Sequence, residues 1–176
     1  MNSRKLTLYI ATSLDGYIAK SDDDISWLPM VEAEGEDYGY YDFIATVDTV
    51  ILGRRTYDKV LSMDVGIPHA DKECYVITHT PRPPEGNITF YTGNLKELVT
   101  GLKAKEGGTI FCDGGAQVIA ELLKDKLVDE FIISIIPILL GDGIRLFKEG
   151  LPEQQLKFVS SKGFKSGLVQ LHYKRK

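Results

Sequence analysis

The sequence predicts one α/β domain over residues 1–176, a three-layer α/β/α arrangement around a mixed, mostly parallel central sheet with antiparallel C-terminal strands. Helix-like and strand-like patterns alternate over the first two thirds of the chain, which is typical of parallel strands joined by crossover helices. In the last third, strand-like runs follow one another without an intervening helix, so we expect them to pair antiparallel. The composition, 43% hydrophobic and 26% charged residues, is that of an ordinary globular domain.

The strand predictions rest on alternating or short apolar runs that end at turn residues. Leu6, Leu8 and Ile10 alternate with less apolar neighbours ahead of the turn dipeptide Asp15-Gly16. Short runs in the middle of the chain stop at glycine or polar residues, and the longest run, late in the chain, ends at a proline. The predicted strands span residues 6–12, 49–52, 75–78, 88–91, 109–113, 131–136, 156–160 and 168–174.

Four helices are predicted from apolar positions that recur every three or four residues. Asp37 is the expected N-cap of the first helix, and Asn94 is that of the third, where Glu97 completes a pair resembling a capping box. The second and fourth helices each begin directly after a glycine that follows a strand-like run. The predicted helices span residues 38–47, 54–61, 95–102 and 116–124.

Charge and hydropathy exclude several classes of protein. The 21 Lys and Arg residues against 25 Asp and Glu residues give a formal net charge of −4, so the chain as a whole has no electrostatic attraction to nucleic acid or to an anionic membrane. No run of about 18 apolar residues is present, and the first apolar run is too short for a signal peptide. We therefore expect a cytoplasmic protein.

The cysteines and histidines predict neither a structural disulfide nor a metal site. Cys74 and Cys112 each lie inside a strand-like run, where cysteine usually acts as a small buried hydrophobe. His69, His79 and His172 lack the spacing that brings metal ligands together, so we expect no bound metal.

Two strand-to-helix junctions, residues 50–56 and 110–116, are candidates for binding one dinucleotide. The free N–H groups and the positive dipole end at a helix start attract phosphate, and glycine lets phosphate approach the backbone. Arg54 and Thr56 add a charge and a hydroxyl to the first junction. For either junction taken alone, turn glycines and, at the first, a solvated arginine are the favoured explanation. The Gly-x-Gly at residues 141–143 lacks the third glycine and the helix of a Rossmann motif.

Five motifs in a particular order make the chain similar to a known superfamily. They are SLDGYIA at 13–19 followed by Trp27, LGRRTY at 52–57, DGG at 113–115, LVDE at 127–130 and PILLGDGIRLF at 137–147. Together they span nearly the whole chain and resemble the dihydrofolate reductase superfamily, most closely the stand-alone relatives of the pyrimidine reductase domain of riboflavin biosynthesis. The resemblance implies a dihydrofolate reductase-like fold.

The resemblance also implies a reductase that binds NADPH across the carboxyl ends of its strands. The cofactor-binding residues would be Ala11 and Ile18 at the nicotinamide, Gly53, Arg54 and Thr56 at the adenosine phosphates, Thr78 and His79 at the 2′-phosphate, and Gly114, Gly115, Ala116 and Gln117 at the pyrophosphate. Dihydrofolate reductases typically have Arg at the position of His79. The choice between NADPH and NADH therefore stays open, although Arg82 is near in sequence.

Carboxylates near the substrate are the candidate catalytic residues. Riboflavin-pathway reductases have an acidic residue before the Gly-Gly pair, and Asp113 occupies that position at a strand's carboxyl end, where it should face the cleft. A cap of the helix that begins near Ala116 is the alternative role of Asp113. Asp15 belongs to another shared motif and is the second candidate, with a role in the turn as its alternative. Trp27, followed by Glu32 and Glu34, resembles the loop tryptophan and later carboxylate that contact substrate in dihydrofolate reductases, and either glutamate could take the second place. A core position for Trp27 and solvated charges for the two glutamates are the alternatives.

The function implied is hydride transfer to 5-amino-6-(5-phosphoribosylamino)uracil or a related heterocycle, a small-molecule substrate. Dihydrofolate reduction and a non-catalytic nucleotide-binding protein of the same fold stay open as alternatives. A homodimer is expected because residues 131–140 hold more aliphatic surface than one strand normally buries, and the resembling domains commonly pair. A central strand buried on both faces is the other explanation of that surface.

Overall fold

The computed structural model describes residues 4–176, and within them the chain forms ten β-strands, four α-helices and a 3₁₀ turn at Leu28–Val31. The strands are β1 (Leu6–Ser13), β2 (Tyr17–Ala19), β3 (Val47–Gly53), β4 (Glu73–Ile77), β5 (Ile88–Tyr91), β6 (Thr109–Gly114), β7 (Glu130–Ile136), β8 (Ile144–Arg145), β9 (Leu156–Gly163) and β10 (Val169–Arg175). The helices are α1 (Tyr40–Ala45), α2 (Arg54–Ser62), α3 (Leu95–Lys103) and α4 (Ala116–Lys124). In this described part of the chain, no helix is long and apolar enough to cross a membrane.

Eight strands form one sheet in the order β5-β4-β3-β6-β1-β7-β10-β9. The strands from β5 to β7 in this order run parallel to their neighbours, whereas β10 is antiparallel to both β7 and β9. The mixed, mostly parallel sheet predicted from the sequence is thereby confirmed. Because parallel strands end at a common edge, the segments that follow β1, β3, β4 and β6 all meet on one side of the molecule.

Helices cover both faces of this sheet, as predicted. On one face, Val99 of α3 and Leu122 of α4 pack in a buried cluster with Leu8 of β1. On the other face, Tyr57 of α2 is buried against strand residues such as Val50, and α1 contributes half-buried side chains to the same cluster. The sheet is therefore the middle of three layers, and its strand ends are held in place by apolar packing on both sides.

The first helix is shorter than predicted. Periodicity predicted residues 38–47, but α1 begins at Tyr40, after Gly39 in a left-handed conformation with φ of 80°. The N-cap is Gly39 and not Asp37, so that prediction was wrong. The Asp37 carboxylate nevertheless accepts the N–H of Gly39 at 3.0 Å and that of Tyr41 at 2.8 Å, beside the helix start. The chain thus enters α1 through a tight turn, which side-chain periodicity does not reveal.

The other predicted elements are present with small differences in their ends. Helix α4 has the predicted bounds, and Asn94 Oδ1 accepts the N–H of Glu97 at 3.1 Å at the start of α3. Strand β9 extends to Gly163, three residues beyond the predicted end. Strands β2 and β8 were not predicted, because two or three residues are too few to show alternation.

The cysteines lie in the sheet, as expected. Cys74 of β4 and Cys112 of β6 are buried free thiols, and burial raises the pKa of each to about 12. Among residues 4–176, no three His, Cys, Asp or Glu side chains form a group that could hold a metal ion.

Candidate active site

A cleft of about 600 Å³ opens at the carboxyl edge of the sheet. Its walls come from β1, β3, β4 and β6 and from the segments that follow them, including the starts of α2 and α4. A second cavity of about 480 Å³, near Arg4 and Thr109 at the opposite edge, contains none of the predicted site residues. The candidate site is therefore the cleft at the carboxyl edge.

The residues predicted to bind the cofactor all line this one cleft. They are Ala11, Ile18, Gly53, Arg54, Thr56, Thr78, His79, Gly114, Gly115, Ala116 and Gln117. Asp113, the first candidate catalytic residue, lines the same cleft. The fold thus brings together residues from four separate stretches of the chain, whereas their binding roles remain a prediction.

The starts of α2 and α4 offer backbone donors to the cleft. No side chain of residues 4–176 caps either helix, whereas Asn94 caps α3. The first N–H groups of both nine-residue helices are therefore available to an anion, and both dipoles favour negative charge at these ends. This donor set fits the phosphates of a dinucleotide.

Glycines allow the two helix starts to lie close together. A Cβ at Gly115 would lie 3.0 Å from Thr56 Oγ1, and a Cβ at Gly53 would lie 3.3 Å from Val118 Cγ2. Gly114 has a φ of 97°, in the left-handed region that favours glycine, and the peptide between Gly114 and Gly115 is cis. Larger residues at Gly53 or Gly115 would press against these side chains, so the glycines permit the close approach of the two junctions that line the cleft.

Basic side chains stand at the α2 side of the cleft. Arg54 pairs with Asp58 at 2.7 Å, and Arg82 approaches the same carboxylate at 3.6 Å. His79 is exposed at the cleft edge. Because exposed ion pairs contribute little to stability, Arg54 can exchange Asp58 for a phosphate at small cost.

Asp113 is held by a histidine that the sequence reasoning did not include among the site residues. Its Oδ2 lies 2.9 Å from Nε2 of His69, in the segment between α2 and β4. The Asp113 side chain is 30% exposed and that of His69 only 12%, so the histidine lies behind the carboxylate as seen from the cleft. No local pattern marks His69, because the contact joins two segments 44 residues apart.

Tyr40 of α1 is a further side chain in the cleft wall. Burial, and secondarily the charge of Asp113, raise the pKa of its hydroxyl to about 12. At neutral pH this phenol is therefore protonated and can donate a hydrogen bond to a ligand.

Asp15, the second candidate catalytic residue, does not line the cleft. Its carboxylate accepts the Ser13 hydroxyl at 2.6 Å and the N–H groups of Leu140 at 3.1 Å and Gly141 at 2.7 Å. These bonds, led by that from Ser13, lower the pKa of Asp15 to about 2. The geometry supports the alternative role, in which Asp15 ties its turn to the 140–141 loop.

Trp27 and Glu32 also lie outside the cleft lining. Trp27 is 6% exposed and packs in a core cluster with Val31 and Leu168, which agrees with the alternative of a core position. Glu32 follows the 3₁₀ turn and is exposed to solvent. Leu28, the residue after Trp27, lines the cleft in its place. The expected substrate contacts of Trp27 and Glu32 therefore have no support in the geometry.

Comparison with known proteins gives consistent matches. The family model of the RibD C-terminal domain matches residues 4–170. Uncharacterized protein YwjB of Bacillus subtilis (strain 168) is 46% identical over 173 residues, 98% of each chain. A crystal structure of a Shewanella sp. PV-4 protein, provisionally named for riboflavin biosynthesis, has a TM-score of 0.89 at 33% identity and covers 98% of this chain and 99% of its own.

A more distant structure confirms the fold class. Dihydrofolate reductase from Enterococcus faecalis, solved with NADP(H), has a TM-score of 0.64 at 18% identity, covering 98% of this chain and 96% of that chain. At this identity the likeness concerns the fold, which is dihydrofolate reductase-like, as the motifs implied. The family match extends over nearly all of the described residues and includes both helix junctions of the cleft. The chain belongs to the RibD C-terminal domain family.

Proposed function

We propose that the protein is an NADPH-dependent reductase that reduces a pyrimidine-linked imine such as that of 5-amino-6-(5-phosphoribosylamino)uracil. The observation that carries this proposal is the combination, in one cleft, of two uncapped helix starts and the carboxylate of Asp113. The helix starts suit the phosphates of a dinucleotide, and the carboxylate suits a proton or a developing positive charge. Membership of the RibD C-terminal domain family supports the same class of reaction.

The chain's own residues bind and orient the reactants. NADPH, when bound, supplies the hydride. The α2 and α4 starts would hold its phosphates, while Ala11 and Ile18 would hold the nicotinamide against the substrate ring. Alignment of the two reacting atoms at roughly 3 to 3.5 Å accounts for several kcal/mol of rate acceleration.

Asp113 would act on the substrate nitrogen. As the imine carbon is reduced, the nitrogen gains electron density and takes a proton, and a carboxyl group at the cleft wall can donate it. Tyr40, protonated at neutral pH, would hold a polar ring substituent by a hydrogen bond. With these roles for Tyr40 and Asp113, Asp113 is the side chain in contact with the reacting atoms.

The proposal is tested with purified protein and NADPH. NADPH should raise the melting temperature by mass action, and its absorbance should decay when the phosphoribosylamino-pyrimidine is added. Dihydrofolate should give no decay, because Glu32 and Glu34 are exposed and outside the cleft lining. A raised melting temperature without decay on either substrate would favour the non-catalytic nucleotide-binding alternative.

The Arg54→Ala variant tests the cofactor preference. If Arg54 contacts the 2′-phosphate, the variant should lose NADPH affinity and keep NADH affinity, since only NADPH carries that group. Titration of each cofactor, followed by melting temperature, gives both affinities. Equal weakening of both would instead assign Arg54 to the phosphates that the two cofactors share.

A further inference from the structure

His69 is held in place from three directions. Its backbone carbonyl accepts the Asn87 side-chain amide at 2.8 Å, and the same amide donates to the Lys72 carbonyl at 2.8 Å. Its ring stands edge-on to Phe111, with centroids 5.6 Å apart and an interplanar angle of 85°. Its Nε2 lies 2.9 Å from Asp113 Oδ2. These contacts hold the His69 ring in one orientation, so the His69–Asp113 pair differs from a mobile surface ion pair.

The hydrogen bond with His69 determines which oxygen of Asp113 faces the cleft. Because His69 occupies Oδ2, the carboxylate cannot rotate freely, and Oδ1 is the oxygen left for a ligand. His69 itself is outside the cleft lining and mostly covered. Any effect of His69 on the reaction must therefore pass through Asp113.

The other ionisable groups nearby are poor sources of a proton. Tyr40 on α1 and Cys74 on β4 both have a pKa raised to about 12, chiefly by burial, so neither releases its proton at neutral pH. Asp71, in the same segment as His69, is largely exposed and pairs with Lys72 at 3.0 Å. Among residues 4–176, the side-chain hydrogen bond to the Asp113 carboxylate comes from His69 at Oδ2, so a new proton reaches Asp113 at Oδ1, on the side of the cleft.

We propose that His69 is the positioning residue of Asp113: by holding Oδ2 it turns Oδ1 toward the substrate nitrogen, which takes its proton from Oδ1. This rests on the proposed reductase function. The hydride brings two electrons and forms the new C–H bond, NADPH becoming NADP⁺. The π pair of the C=N bond moves to nitrogen, which takes the proton of the Asp113 carboxyl group. Asp113 Oδ1 recovers a proton from solvent through the cleft, while His69 stays hydrogen-bonded to Oδ2.

Two substitutions at His69 test its hydrogen bond to Asp113, one that can keep the bond and one that cannot. The amide nitrogen of His69→Gln can occupy the place of Nε2 and donate to Asp113. His69→Asn suits the left-handed φ of 52° at this position but is too short to reach Asp113. His172→Gln is the matched control, because His172 Nε2 lies 3.0 Å from Glu130 Oε2, in a pair remote from the cleft.

Turnover, with kcat and KM measured separately, is the first readout. His69→Gln should keep KM, the NADPH-induced rise in melting temperature and most of kcat, because its amide can keep the hydrogen bond to Asp113. His69→Asn should keep KM and lose about a hundredfold in kcat, and the control should behave as wild type. Wild-type kcat in folded His69→Asn, or an equal loss of kcat in His69→Gln and His69→Asn, would overturn the proposal.

The second readout does not need turnover. In the ¹H–¹⁵N spectrum, the hydrogen-bonded Nε2 proton of His69 should exchange slowly with solvent and should disappear in Asp113→Ala. Absence of that signal in the wild type overturns the pairing on which the role of His69 rests. If the signal is present and NADPH binds but no substrate is reduced, the reductase proposal fails and the proton transfer fails with it. Wild-type kcat in folded His69→Asn overturns the role of His69 alone.

Discussion

One carboxylate oxygen of Asp113 faces the cleft and the other contacts His69. The charge of Asp113 should therefore matter for turnover more than for folding. Asp113→Asn keeps an oxygen that can accept from His69 but removes the charge and the transferable proton. We expect kcat to fall by about a hundredfold, with melting temperature and NADPH affinity close to wild type. Steady-state kinetics and thermal unfolding with and without NADPH check this.

A control separates that effect from a general loss of charge. Asp42→Asn makes the same change on exposed α1 surface and should leave kcat unaffected. Across residues 4–176, the structure shows no side-chain cap at α4, so Asp113 does not cap that helix. If Asp113→Asn instead melts early but turns over normally once folded, Asp113 is a structural residue whose contact with His69 stabilises the fold.

Asp15 should matter for stability, in a way that depends on pH. Its hydrogen bonds hold its pKa at about 2, below the ordinary value of 3.8, so the folded state favours the ionised form more than the unfolded state does. This contribution is fully present above about pH 4 and is lost as pH falls toward 2. Asp15→Asn should melt below wild type at neutral pH, and the difference should shrink in acid.

Melting temperatures followed by circular dichroism from neutral pH to about pH 2 test this expectation. Glu34→Gln, a change at an exposed carboxylate, should run parallel to wild type throughout. An Asp15→Asn difference that stays constant with pH would show that the lost contacts, rather than the lost charge, cause the destabilisation.

At the scale of the element, the two strand-to-helix junctions carry the cofactor site. Gly115→Ala would bring a Cβ to 3.0 Å from Thr56 Oγ1, so we expect a loss of about 1 to 3 kcal/mol of stability and weaker NADPH binding. Gly101→Ala in α3 is the matched control, since a Cβ there meets no atom within 4 Å. It should raise stability by up to about 1 kcal/mol and leave NADPH binding unchanged.

Denaturant unfolding and NADPH titration of both glycine variants provide the measurement. Equal NADPH affinity in Gly115→Ala and wild type would contradict a ligand that lies between the two helix starts.

The sequence predicted elements well where local signals determine them. Helix α4 has a strong apolar stripe and a preceding Gly-Gly, and α3 has the Asn94 cap, so their starts were predictable. The start of α1 depends on left-handed backbone at Gly39, which the apolar pattern does not encode. Strands β2 and β8 form only because distant segments meet, so their pairing is a product of tertiary structure.

The same distinction applies to the site. Its glycines, Arg54 and Asp113 lie in contiguous motifs, and the parallel sheet carries them to one edge. His69 reaches Asp113 only through the fold, and no spacing rule could have indicated it. Trp27 and Glu32 lie in a loop without periodicity, so their orientation depended on tertiary packing that the sequence pattern does not specify.

At the scale of the whole molecule, the homodimer remains a prediction, but the exposed surface that supports it is not the one expected from the sequence. Strand β7 lies between β1 and β10, and its Ile133 and Ile136 are buried, so it exposes less aliphatic surface than the sequence indicated. Leu139 is 69% exposed, however, and β9 is an edge strand exposed along its length, with Phe158 at 56%. Apolar side chains on an open edge favour pairing with another chain.

Light scattering at concentrations on the order of tens of micromolar tests the dimer. Phe158→Glu should give a monomer if β9 forms the interface, and Leu139→Glu should do so if the 137–140 loop forms it. Wild type that is monomeric under these conditions would contradict the prediction.

The core position of Trp27 gives the protein an intrinsic fluorescence signal for cofactor binding. It is the only tryptophan in the chain, it is nearly inaccessible to water, and the cluster around it includes Ala11 and Leu28, which also line the cleft. Its emission should therefore be that of an apolar environment and should shift to longer wavelength on unfolding. Reduced nicotinamide absorbs where tryptophan emits, so a dinucleotide seated beside Ala11 should quench this fluorescence by energy transfer. Cofactor binding can thus be followed by Trp27 fluorescence in the unlabelled protein, without any substrate.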